Sequence, residues 1–109
     1  MFSKCYDFLK ENFGQMHLAG AEYLSYCVEI YNKDTPLYKI YNMCAEKYNS
    51  TPLAIARAIA YYVDNVIVKD NDLDVLSKFF GYQFRRSAKH IKNKEIIHIL
   101  GENFVIIII

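Results

Sequence analysis

Apolar residues return at three- and four-residue intervals along almost the whole chain, and these are the intervals of helices. Cys5, Tyr6, Leu9 and Phe13 make a first stripe, which Gly14 ends. Leu18, Ala21, Leu24, Val28 and Tyr31 make a second. A helix-start pattern then occurs twice. Thr35-Pro36 and Thr51-Pro52 each offer a capping hydroxyl followed by a proline at the first helical position, where the missing N–H costs nothing. After Pro36, Leu37, Ile40, Tyr41, Cys44, Ala45 and Tyr48 form one face, and Asn49-Ser50 breaks it. After Pro52, Ile55, Ile59, Tyr62, Val63 and Val66 form the next. The turn between these two helices is too short for anything but direct packing. That is the pattern of a helix-turn-helix and, equally, of a plain helical hairpin in a bundle.

Further on, Asp70, Asn71 and Asp72 offer caps for a short helix carrying Leu73, Leu76 and Phe79, which Gly81 stops. The stretch from Arg85 to Lys94 reads as a loop, and Ile96, Ile97, Leu100 and Phe104 carry a last helix. No alternating strand pattern of useful length occurs before residue 105. The final five residues, 105–109, are all β-branched and apolar, an aggregation hazard if exposed. The fold class expected is all-α: a compact bundle of about six helices containing a helix-turn-helix, in one domain spanning residues 1–109.

Length agrees, since 109 residues suit one domain with one core. An apolar fraction of 53% fills that core and excludes a disordered chain. Ten tyrosines and no tryptophan favour a core whose edges are coated by rings with wet hydroxyls. The three cysteines, Cys5, Cys27 and Cys44, are widely spaced and lie in apolar stripes, where a free thiol acts as a small hydrophobe. With no secretory leader pattern and no apolar run of membrane-spanning length, a reducing cytoplasm is expected, with no membrane partner.

Catalytic chemistry has no positive support. His17, His90 and His98 are dispersed and join no metal-ligand motif. No nucleophile elbow, phosphate-cradling glycine loop or carboxylate pair occurs. Asp70, Asp72 and Asp74 alternate like the start of a calcium loop but lack its glycine and its bidentate glutamate, so they read as helix caps. No enzyme activity, cofactor, metal or small-molecule substrate is implied.

The charge distribution points elsewhere. The net formal charge is only +1, but residues 1–77 carry a net of −3 and residues 78–109 a net of +4. All six bases of the second segment precede its first acid, Glu95. Such a run is either a solvated face or a patch for phosphate. Together with the helix after Thr51 it supports nucleic-acid binding, although Arg57 is the one basic residue within the first seventeen positions of that helix, 52–68.

The stretch Tyr48-Asn49-Ser50-Thr51-Pro52-Leu53-Ala54-Ile55-Ala56-Arg57-Ala58-Ile59 resembles the helix-turn-helix of the C-terminal effector domain of the sporulation master response regulator. Other pieces follow in the same order. His17-Leu18-Ala19-Gly20-Ala21-Glu22-Tyr23-Leu24 resembles that domain's entry to its second helix, and Ala45-Glu46-Lys47-Tyr48-Asn49 the end of its third. Residues 71–82, closing on Phe80-Gly81-Tyr82, and Lys92-Asn93-Lys94-Glu95-Ile96-Ile97 resemble its last two helices. The likeness covers roughly residues 10–104.

The resemblance implies a six-helix DNA-binding domain for transcription control in sporulation, acting on double-stranded DNA. In the family it follows a receiver domain; none is present in these 109 residues, and Met1 and the lack of a linker favour a stand-alone protein. It implies that Arg57 reads a base, that Ser50 and Thr51 contact the DNA backbone, and that Arg85, Arg86, Lys89, Lys92 and Lys94 bind phosphates. The family's recognition helix carries several arginines and a glutamate on its exposed face. Here the matching positions read Ala54, Ala56, Arg57 and Ala60. Each lost base contact removes about 1–3 kcal/mol of discrimination. The alternative is a protein-interaction module. In that reading Leu53, Ala56, Ala60 and Tyr61, with the isoleucine tail, dock a second copy, the full-length sporulation regulator or RNA polymerase.

Overall fold

In the computed structural model, residues 4–69 and 91–105 are described, and they form five α-helices: α1 (Lys4–Asn12), α2 (Ala19–Glu29), α3 (Leu37–Lys47), α4 (Pro52–Tyr62) and α5 (Asn93–Val105). A π-helical turn, Val63–Val68, continues α4 without a break. No strand occurs among the described residues. The fold is all-α, as its periodicity predicts. The expected short helix carrying Leu73, Leu76 and Phe79, most of the basic stretch and the apolar tail lie outside the described residues.

The helix α2 is the centre of the packing and touches α1, α3, α4 and α5. Its Ala21, Leu24, Cys27 and Val28 are buried, and they meet Ile55, Ile59 and Tyr62 of α4 and Ile96, Ile97 and Leu100 of α5 in one core. Gly20 is what lets α2 and α4 approach. A Cβ there would overlap the Ala58 carbonyl oxygen and lie 2.8 Å from both the Ala58 carbonyl carbon and Tyr62 Cβ. Tyr62, fully buried, sends its hydroxyl out of the core to donate to the Gly14 carbonyl at 2.9 Å, tying the end of α4 to the turn after α1. Its phenol is pushed up by burial.

The tyrosines behave as composition suggests. Tyr48, at the end of α3, packs its ring 4.9 Å from Tyr23 and 5.8 Å from Tyr26 of α2, and Lys47 lies over the Tyr26 ring at 5.1 Å. This aromatic group fastens the turn between α3 and α4 to the central helix.

Two helix boundaries depart from expectation. The α3 helix does not use Thr35 as its cap. Asn32 takes over the turn: its side chain accepts from the Asp34 N–H at 2.8 Å and its carbonyl from the Thr35 N–H at 2.9 Å. Pro36 then sits extended at the cap position, with ψ 149°, and the helix begins at Leu37. The α5 helix begins at Asn93, so Asn93 and Lys94 are helical rather than part of the loop. After Tyr62 the ladder widens into the π turn, roughly one residue more per turn than an α-helix. There Ile67, outside the predicted stripe, is buried beside Val63 and Val66.

All three cysteines are buried free thiols. Burial pushes Cys5 up to about 12. The hydrogen bond between Cys27 and Cys44, with burial, keeps the proton on Cys27, while the same bond pushes Cys44 down, so that Cys44 is shielded from a reagent by its burial alone. Alkylation by iodoacetamide at neutral pH is therefore expected to leave the folded protein unmodified over a time that fully labels the urea-unfolded chain. Mass spectrometry checks this; one cysteine labelled at the unfolded rate in native buffer would refute it.

Candidate nucleic-acid interface

The turn between α3 and α4 is closed by its own atoms. Asn49 adopts φ +52°, the left-handed conformation that asparagine tolerates better than most residues. The Ser50 N–H then bonds the Ala45 carbonyl at 2.8 Å and the Asn49 N–H bonds that of Glu46 at 3.4 Å, a Schellman ending for α3. One residue later Thr51 caps α4: its Oγ1 accepts from the Ala54 N–H at 3.2 Å, with Pro52 following at the first helical position. Here the threonine-proline start behaves as predicted.

That short turn presents α4 with one face inward and one outward. Ile55, Ile59 and Tyr62 are buried. Leu53, Ala54, Arg57 and Tyr61 are exposed, and the four-residue spacing of Leu53, Arg57 and Tyr61 stacks them along one side. Leu53 is 59% and Tyr61 58% exposed. Arg57 stands between them with no hydrogen bond or ion pair among the described residues.

Ala56 and Ala60 need correction. They are half-buried rather than part of the fully exposed face. The Asn93 side chain donates through Nδ2 to the Ala56 carbonyl at 2.9 Å. This bond holds the first turn of α5 against the middle of α4. It leaves Lys92 and Lys94, both exposed, flanking the helix that carries Arg57. The other amide atom, Asn93 Oδ1, is buried and accepts no hydrogen bond among the described residues.

Lys94 also borders a cleft of about 450 Å³ whose other walls include Lys33, Thr35, Leu37, Ile40 and His98. Lys33 is an exposed cation that its neighbours in sequence do not mark out. The Asn32 turn brings it to the cleft that Lys94 borders. The turn itself is pinned to α5 by Tyr31, whose hydroxyl donates to Glu102 Oε1 at 3.0 Å and lies 2.7 Å from His98 Nδ1. A phenol has one proton. With that proton given to Glu102, His98 must present Nδ1–H to the phenol oxygen.

Of the residues assigned from sequence, Thr51, Ser50, Arg57, Lys92 and Lys94 thus fall around α4 and its entry turn. Arg85, Arg86 and Lys89 lie outside the described residues. No group of three metal-ligating side chains gathers among the described residues, and no helix there is long and apolar enough to cross a membrane. The chain matches the family model described as sporulation initiation factor Spo0A C terminal over residues 6–104. No curated protein and no solved structure matches it.

Proposed function

Because this chain belongs to the Spo0A C-terminal family, which its match covers from residue 6 to residue 104, we propose that it regulates transcription by docking α4 in the DNA major groove. The observation that carries the reading is the outward face of α4: a capped helix start with an exposed Arg57 one turn in, which has no ion pair among the described residues. In helix-turn-helix proteins the first residues of the second helix meet the base edges. Arg57 reads a guanine through its paired N–H groups. Thr51 and Ser50 contact phosphate from the turn; the Thr51 hydroxyl oxygen is engaged by Ala54, and its proton remains to donate. Lys92 and Lys94 hold the adjoining backbone, with Arg85, Arg86 and Lys89 of the same basic segment. We add Lys33 to this set, since it lines the same cleft as Lys94.

Fluorescence anisotropy against a site selected from a random duplex pool tests the assignment. Arg57→Ala is expected to lose roughly 5- to 150-fold in affinity for that site and little for unrelated duplexes, the signature of one lost bidentate contact. Lys94→Ala is expected to weaken both alike and flatten the salt dependence. Equal affinity of Arg57→Ala and parent for the selected site refutes the base-reading role.

The exposure of Leu53 and Tyr61 favours a second reading, in which this face docks a protein: a second copy, the full-length sporulation regulator or RNA polymerase. A complex through that face survives high salt, where phosphate contacts weaken steeply.

A further inference from the structure

The outward face of α4 has little with which to form hydrogen bonds. Pro52, Leu53 and Ala54 are exposed and apolar, and Arg57 is the single polar side chain in the first two turns of that face. We infer that Leu53 and Ala54 read thymine methyl groups beside the one guanine taken by Arg57. This deepens the DNA-reading role proposed above and rests on it.

In the major groove, guanine, cytosine and adenine present donors and acceptors that need a partner or water, whereas thymine alone offers a methyl group beside its carbonyl. A leucine pressed against a polar edge strips its water and returns nothing. Pressed against a C5-methyl it buries apolar surface on both sides. The same exposed apolar face would suit an apolar protein partner. The charges around it favour a polyanion instead: Arg57 stands within the face, and Lys92 and Lys94 flank α4 from the start of α5. Leu53 and Ala54 occupy the second and third positions of the helix, where base contacts concentrate. The preferred site therefore carries one guanine with thymines next to it. The thinned set of polar readers is replaced by shape and methyl contacts, not by indifference to sequence.

Deoxyuridine isolates the group in question, because it differs from thymidine only by the missing methyl and keeps pairing and charge. Each thymine of the selected duplex is replaced singly by deoxyuridine, and binding is measured with the parent chain, Leu53→Ala and Arg57→Ala. The parent is expected to lose about fourfold for each methyl it buries, at one or two positions and not elsewhere. Leu53→Ala is expected to lose that sensitivity at one of them, and Arg57→Ala to retain it. Leu53 is exposed, so its truncation leaves the core untouched. A chain that selects a site yet tolerates uracil at every thymine overturns the methyl reading alone. A chain that selects no duplex overturns the DNA-reading role, and this inference with it.

Discussion

Gly20→Ala is expected to cost the protein about 2–4 kcal/mol, a large share of the stability of a small domain. Two effects oppose each other. Alanine is the better helix former by about 1 kcal/mol, and Gly20 lies in the first turn of α2, where that gain is smallest. Against it stands an overlap with the backbone carbonyl of Ala58, which belongs to the middle of α4 and cannot swing aside as a side chain can. Relief requires the two best-packed helices of the core to part, and Leu24, Ile55, Ile59 and Tyr62 lose contact together. Gly101 makes the comparison. A Cβ there meets only side-chain atoms of Tyr31, but they include its Cγ and, at 2.9 Å, its Cβ, so relief costs the Tyr31 bonds to Glu102 and His98 and a small shift of the Tyr31 backbone, without parting α2 from α4. Gly101→Ala is therefore expected to be the milder of the two. Urea unfolding followed by circular dichroism ranks them. A Gly20→Ala midpoint equal to the parent's would mean that α2 and α4 do not approach as closely as described.

The second large effect is expected at Asn93. Asn93→Asp replaces the donor to the Ala56 carbonyl with an acceptor and places a carboxylate where the amide oxygen is already buried. At neutral pH the loss is expected to be about 2–4 kcal/mol, the cost of an uncompensated buried charge. The sign with pH follows. Burial favours the neutral acid, so the folded value of this aspartate is raised above its unfolded value of about 3.9. Its protonated form can donate to Ala56. Stability is thus fully present below about pH 3.9 and is lost as pH rises through the raised folded value. The difference in thermal midpoint between variant and parent, followed across pH, should widen as pH rises and then level. A difference independent of pH would refute the contact. Loss of the bond also frees the first turn of α5, so Lys92 and Lys94 no longer stand beside α4.

The contrast between the two threonine-proline starts explains what sequence reading reaches. Thr51 caps its helix because nothing nearby competes for the turn. Thr35 does not, because Asn32, three residues earlier, closes a turn with its own side chain and sets Pro36 extended. Periodicity located the buried faces of every described helix, since burial repeats with the helix itself. It did not separate Leu53 from Ala56. Both fall off the buried stripe, and only the contact from Asn93 covers one of them. Lys33 and Asn93 were illegible as site residues for the same reason: a single cation or amide acquires its meaning from a partner far away in the chain. Ile67 joined the core through a π turn that has no known sequence mark. The proposed base reader, Arg57, was legible from the family pattern, while its exposure without an ion pair among the described residues emerged only in three dimensions.

The division of α4 into an inward face of Ile55, Ile59 and Tyr62 and an outward face of Leu53, Ala54, Arg57 and Tyr61 bears on how such a protein changes over generations. Selection for folding acts on the first set and selection for a target acts on the second, and almost no side chain answers to both. Replacements on the outward face meet little resistance from the core, so a lineage can exchange one recognition preference for another through a series of folded ancestors. The half-covered alanines, Ala56 and Ala60, mark the border between the two sets.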